Sequence, residues 1–395
     1  MSNTLKEIAQ QLRAANKKVQ LIYAFNGTGK TRLSREFKEL AAEEIDADGE
    51  DAEASDLARK NVIYYNAFTE DLFFWDNDLN DDEDRKLIIH PNAFTTWVLE
   101  EQGQGPTIID YFQKLTNSNV EPQFSADFSE IYFTKRGDAE HARIKISKGE
   151  ESNLIWCVFY SLLELIVEEL GTAAEKRSTA DFNQLKYVFI DDPVSSLDDN
   201  HLIELAVDIA KLVKSSSAGL KFIITTHNPL FYNILSNEFN NKLAKDPDAE
   251  NIEWLYKPAN AKKFRLDKKA DGTFELALLD RKVPFSYHLH LLSEIRSAIS
   301  NGQLRKYHFS FLRNIFEKTA TFLGHDHWES LLPKAADGNP DPFFNRVLNL
   351  SSHSAHAAEE AGEVEARDKN KLEELVGFLS SKYGFWNEPL DVPND

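Results

Sequence analysis

The chain has 395 residues, 42% of them hydrophobic, a formal net charge of −20 and a single cysteine, Cys157. That length and apolar content suffice for two cores, and one cysteine excludes any disulfide within the chain and points to a reducing compartment. So acidic a composition argues against a chain that binds nucleic acid over its whole surface.

In chain order, the residues after Met1-Ser2-Asn3-Thr4 read as an amphipathic helix with lysines and glutamate; no signal peptide is read there, and a cytoplasmic protein is expected. Lys18 to Tyr23 reads as a buried strand, and Ala24-Phe25-Asn26-Gly27-Thr28-Gly29-Lys30-Thr31 follows before a helix. Strand, glycine loop and helix make a phosphate cradle. Asn26, Gly27, Thr28 and Gly29 offer backbone amides, Lys30 reaches β- and γ-phosphates, and the Thr31 hydroxyl is a ligand for Mg²⁺ bound with the nucleotide. The motif's usual first glycine is Ala24, which tolerates no positive φ, so a tighter or differently shaped corner is expected there. Glu43 to Asp56 and Asp76 to Asp84 read as solvated acidic loops.

Ile146-Ser147-Lys148-Gly149-Glu150-Glu151 opens a long apolar helix containing Cys157. Its longest apolar run, Leu154 to Leu163, is too short to span a bilayer, so no membrane partner is expected. Tyr187 to Ile190 is a second buried strand ending in Asp191, placed to hold Mg²⁺, and Asp192, placed to orient an attacking water. Ser195-Ser196-Leu197-Asp198 follows, and Phe222 to Thr226 is a third buried strand ending in His227. This order of motifs resembles the ABC-type ATPases. The resemblance implies that Ser147, Gly149 and Glu150 are the signature, Asp198 the D-loop acid and His227 the switch histidine. It also implies a head-to-tail homodimer with two composite sites, further oligomerisation being left open. Asp192 stands where most of that superfamily carry glutamate, and the shorter carboxylate implies slow turnover suited to a switch.

From Ala261 to Asp395, 18 lysines and arginines stand against 20 aspartates and glutamates, so the acidity belongs to the first 260 residues. Lys262-Lys263-Phe264-Arg265-Leu266-Asp267-Lys268-Lys269 reads either as a phosphate contact or as a solvated connector. After it the pattern is helical, with Ser286 to Ser300, Arg305 to Phe322 and Lys371 to Tyr383 as helices and Asn339-Pro340-Asp341-Pro342 as a loop. The expected organisation is an α/β, ABC-type P-loop ATPase domain over 1–265, then a mostly α-helical domain over 266–395. Arg313 and Glu317 share a helix face, and taken alone they read as an ordinary surface ion pair. With His353 they supply a base, a phosphorane-binding cation and an acid, enough for metal-free RNA cleavage to a 2′,3′-cyclic phosphate and a 5′-hydroxyl. His325, Asp326 and His327 are the weaker basis for a metal-dependent alternative, since alternating residues on a helix do not share a face.

Leu21 to Thr31, Ile146 to Glu151, Ile190 to Asp198 and the Arg313, Glu317, His353 set together resemble the bacterial PrrC-type anticodon nucleases over essentially the whole chain. What the resemblance implies is a nucleotide-gated endoribonuclease. It would cut tRNA, typically lysine tRNA, 5′ of the wobble base, with Arg313, Glu317 and His353 catalytic, His356 competing for the histidine role and Asp280 a weak candidate for reading the base. It further implies a type I DNA restriction-modification complex as silencing partner in antiphage defence, GTP or ATP as nucleotide and thymidine triphosphate as effector. The reading from a different class is a regulatory ABC ATPase that signals to a separate nuclease.

Overall fold

The computed structural model describes residues 3–46, 61–66, 73–76, 86–90, 97–116, 119–137, 142–178, 182–194, 199–217, 219–246, 248, 251–269, 271–279, 286–335, 338–342, 344, 348 and 364–385. The chain divides into two compact units, Met1–Pro284 and Phe285–Asp395.

The first unit opens with helix α1 (Leu5–Ala14), started by a capping box in which Thr4 and Glu7 satisfy each other's backbone amides. Strand β1 (Val19–Ala24) is buried at all six positions, as the unbroken apolar run of a parallel strand covered on both faces requires. Helix α2 (Lys30–Asp46) follows, then β2 (Val62–Asn66), β3 (Phe73–Asp76), β4 (Lys86–Ile89), α3 (Gly105–Thr116), β5 (Val120–Phe124) and β6 (Glu130–Lys135). The long helix α4 (Lys148–Gly171) precedes β7 (Tyr187–Asp191), α5 (Asp199–Ser215), β8 (Lys221–Thr226), α6 (Pro229–Glu238), the short pair β9 (Leu243–Ala244) and β10 (Trp254–Tyr256), and finally β11 (Ala261–Lys268) and β12 (Phe274–Leu278).

Six strands form the central sheet in the order β12-β11-β1-β8-β7-β2. All neighbours are parallel except the antiparallel edge strand β12. This is the α/β architecture of a P-loop ATPase, with β8 interposed between the strand that leads into the glycine loop and the strand that ends in the two aspartates. Parallel strands direct their C-terminal ends to one edge, where the intervening loops collect. A separate four-stranded antiparallel sheet has the order β3-β4-β6-β5. On one face of the central sheet Leu5, Ile8 and Leu12 of α1 pack with Leu33 and Phe37 of α2 against Ile22, Phe189, Ile223 and Leu266.

The expected boundary after residue 265 is corrected by this sheet. Leu266 pairs with Ala24 on one side and Leu276 on the other, so the hairpin through Leu278 belongs to the first unit. The basic stretch 262–268 is accordingly part of a strand inside the sheet and not a connector. Lys263 Nζ donates to the Ser236 carbonyl and Asn240, Arg265 pairs with Asp267, and Lys269 pairs with Glu275.

In the second unit, α7 (Tyr287–Ser300), α8 (Lys306–Leu323) and α9 (Ala366–Tyr383) bury Leu291, Ile295, Leu312, Phe316, Leu372 and Leu379 together. Ser286 caps α7, and Gly324 ends α8 in the left-handed conformation with φ +75°. Among the described residues no helix is long and apolar enough to cross a membrane.

Candidate functional site

The end of β1 delivers Phe25 to Gly29 to the C-terminal edge of the sheet. Ala24 sits in the strand, in register with Leu266, and is not among the positive-φ residues. The loop is turned without a positive φ at Ala24, because the positive-φ positions fall on Gly27 (φ +78°) and Gly29 (φ +106°). Lys30 begins α2 and is 8% exposed. Its ammonium donates to Asn26 Oδ1 at 3.2 Å and the Ala24 carbonyl at 3.4 Å, and lies 3.3 Å from Asp192 Oδ2.

Thr31 and Asp191, 160 residues apart, meet at 2.8 Å through Thr31 Oγ1 and Asp191 Oδ2. Two further hydroxyls hold the same carboxylate, Thr225 at 2.6 Å and Tyr64 at 3.3 Å. Asp191 is 2% exposed. Burial raises its pKa and outweighs the lowering by the Thr225 and Thr31 bonds. A hydroxyl and a carboxylate are hard oxygen donors of the kind Mg²⁺ takes, and the cation would bring counter-charge to a buried acid. The donor set fits the metal expected there.

Asp192 adopts φ +53°, a conformation that turns its carboxylate back over the site. Its amide donates to the Thr225 carbonyl at 2.9 Å. Its carboxylate accepts from Thr226 Oγ1 at 3.2 Å and the His227 amide at 3.3 Å, and bonds His227 Nδ1 closely. Burial alone would raise the Asp192 pKa. The His227 bond and the charges of Lys30 and His227 prevail and hold it below the usual carboxylate range. The bond to Asp192 engages Nδ1, fixes the orientation of the His227 ring and leaves Nε2 as the nitrogen not held by the carboxylate. The ends of β1, β7 and β8 thus converge on one phosphate site, and Asp192 acts in it as His227's partner as well as Lys30's.

Ser147, Gly149 and Glu150 form the N-terminus of α4. Glu150's amide donates to Ser147 Oγ at 3.2 Å, and Ser147's amide donates to Glu150 Oε2 at 2.8 Å. Among the described residues no hydrogen bond or ion pair joins these three to the glycine loop of the same chain. Asp198 lies outside the described residues.

In the second unit Arg313 Nε donates to Glu317 Oε1 at 2.8 Å on α8, and the Arg313 guanidinium stands 5.6 Å from the Trp328 ring centroid. His353, His356 and Asp280 lie outside the described residues. His325, Asp326 and His327 are not on a helix, contrary to expectation: Gly324 has ended α8, and the three occupy an exposed loop. Among the described residues no cluster of His, Cys, Asp and Glu could hold a metal ion.

Tyr64, Thr225 and Thr226 are the functional side chains that sequence reasoning missed. Paired hydroxyls at the end of a buried strand, just before His227, were the available signal for the threonines; nothing local marks Tyr64. Thr225 is fully buried. Thr225→Val is expected to cost about 1–3 kcal/mol by leaving the Asp191 carboxylate short of a donor, and to weaken Mg²⁺-nucleotide binding. Thermal melts with and without Mg²⁺-nucleotide check this; an unchanged melting temperature in both would refute it.

A curated anticodon nuclease from Escherichia coli is 48% identical to this chain over 414 aligned positions, covering 98% of this chain and 99% of the relative. The chain belongs to the anticodon nuclease family. Within this anticodon nuclease, residues 101–381 also match the AAA_13 family, an AAA domain. Solved structures resemble the anticodon nuclease more loosely. The SMC head domain from Thermotoga maritima is similar over 67% of this chain and 90% of its own, with 15% identity and a TM-score of 0.28. A dimeric ATP-binding cassette in a post-hydrolysis state bound to ADP and phosphate covers 61% and 86%, with 13% identity and a TM-score of 0.28. Overlaps this loose add nothing to the strand order and register described above.

Proposed function

We propose that the chain is a cytoplasmic endoribonuclease that cuts tRNA in the anticodon loop, lysine tRNA 5′ of the wobble base, gated by GTP or ATP at the Lys30 site with thymidine triphosphate as an effector. The observation that carries the reading is the 48% identity to an anticodon nuclease across 98% of the chain.

Cleavage is assigned to the second unit as metal-free transesterification. Glu317 takes the 2′-hydroxyl proton, the 2′-oxygen attacks the adjacent phosphorus, Arg313 binds the crowded phosphorane, and His353 protonates the departing 5′-oxygen. A 2′,3′-cyclic phosphate and a 5′-hydroxyl result. The Arg313–Glu317 bond of 2.8 Å supports this by holding base and cation together on one helix face.

In the first unit, Thr31 and Asp191 would hold Mg²⁺, which supplies charge neutralisation at the nucleotide phosphates. Lys30 binds the β- and γ-phosphates. Asp192 orients the His227 ring through Nδ1, leaving Nε2 to accept a proton from the attacking water. The confinement of Ser147, Gly149 and Glu150 to their own helix turn is consistent with their serving a second copy, in a head-to-tail homodimer. A type I restriction-modification complex is the proposed silencing partner, with release during phage infection.

The test is to incubate the full chain with total bacterial tRNA, Mg²⁺ and GTP and to map the cut and its ends. One anticodon-loop cut bearing a cyclic phosphate is expected. Intact tRNA alongside nucleotide hydrolysis would instead favour a regulatory ATPase acting through a separate nuclease.

A further inference from the structure

Helices α3, α4 and α5 enclose an open cleft of about 510 Å³ that the phosphate site does not use. Its aromatic side is built by Tyr111 of α3 and Tyr160 of α4, whose rings meet edge to face at 5.3 Å, with Trp156 5.8 Å from Tyr160. Its polar side carries Glu164 and Glu168 of α4 and Asp208 of α5 against Lys114 and Lys211. Among the described residues only one ion pair forms within this set, Lys211 with Asp208 at 3.7 Å and solvent-exposed. Such an exposed pair leaves most of the carboxylates' charge uncompensated. Among the described residues no ion pair reaches Glu164, and burial followed by the charges of Asp208 and Glu168 pushes its pKa up. Aromatic faces next to crowded, undercompensated carboxylates lack a planar cation.

We propose that this cleft docks an arginine side chain presented by a basic segment of a partner protein. A guanidinium stacks on Tyr111 or Tyr160 while donating to Glu164 and Asp208 at once, whereas a lysine ammonium is compact, more strongly hydrated and cannot stack. A nucleic-acid backbone is repelled by the same carboxylates. Because the cleft is open along the helices, it admits a side chain carried on a polypeptide. Ser147 caps the start of α4 and α5 follows the Asp192 turn in sequence, so an occupant held by both helices bears on the two segments that border the nucleotide motifs.

The probe is a short fluorescein-labelled peptide of alternating arginine and alanine, with lysine and citrulline analogues, titrated against the full chain by fluorescence anisotropy at physiological salt. The wild type is expected to bind the arginine peptide about tenfold more tightly than either analogue. Glu164→Gln with Asp208→Lys should lose about that factor. Glu39→Gln with Glu253→Lys makes the same charge change on exposed residues elsewhere and should lose none. Equal losses in both double variants would reduce the effect to bulk charge, and parity of the lysine peptide, displacement by free spermidine as effective as by the peptide, or no binding would each overturn the proposal.

Glu164→Gln alone serves as the folding control. Its raised carboxylate pKa means that the folded chain keeps this proton to higher pH than the unfolded chain. The associated stability is full below the unfolded pKa and is lost as pH rises through the folded one. The variant is therefore expected to melt higher than wild type at neutral pH, with the gain shrinking in mild acid. A lower melting temperature at neutral pH would contradict the crowding of carboxylates in the cleft.

Discussion

Glu317→Ala is expected to lower tRNA cleavage by about 10²–10⁴-fold while nucleotide hydrolysis stays at the wild-type rate. The magnitude follows from the general-base role proposed for Glu317. The selectivity follows from location, since Glu317 is on α8 of the second unit and the phosphate site lies wholly in the first. Its partial exposure also separates chemistry from folding. The Arg313–Glu317 pair has side chains 29% and 45% exposed, and an i,i+4 pair so placed contributes only about 0.3–0.5 kcal/mol. Loss of the pair should leave the melting temperature almost unchanged. End-mapped tRNA cleavage, phosphate release and a thermal melt on one preparation make the comparison. If hydrolysis fell with cleavage in a folded protein, Glu317 would not be a base confined to the nuclease step.

Lys30→Met is expected to abolish nucleotide turnover, by about 10³-fold or more, and with it any nucleotide-dependent tRNA cleavage. The ammonium has a second function in the site, because it is 3.3 Å from Asp192 and fixed by Asn26 and the Ala24 carbonyl. Without it Asp192 loses the Lys30 charge that helps hold its pKa down, and that pKa should rise toward the ordinary range. Phosphate release and equilibrium binding of a labelled triphosphate distinguish the two losses. Wild-type turnover in this variant would remove Lys30 from the catalytic arrangement.

What the sequence made readable depended on local regularity. β1, β7 and β8 were legible because strands covered on both faces must be apolar throughout, and the glycine loop, the paired aspartates and His227 sit at their ends. The starts and stops of α7 and α8 were readable to within a residue because Ser286 and Gly324 leave chemical marks. β11 was missed for the opposite reason. Its lysines look like a solvated linker, yet Lys263 spends its charge on a helix carbonyl and an asparagine of the same unit, which allows the strand to lie inside the sheet. Tyr64 reaches Asp191 across 127 positions with no motif to announce it. The cleft lined by α3, α4 and α5 needs three helices to exist at all.

The placement of β8 has a mechanical consequence. His227 follows the strand's last residue directly, and Asn228 caps α6 at once, its side chain accepting from Leu230 and Phe231, with Pro229 as the first helical residue. No slack separates the residue that would touch a γ-phosphate from a rigid helix. A hinge has nowhere to sit. α6 is in turn tied by its Ser236 carbonyl to Lys263 of β11, the strand from which the chain continues through β12 to its second unit. With the cap following His227 at once, any movement of His227 bears directly on the start of α6, where a loop of a few residues would have absorbed it.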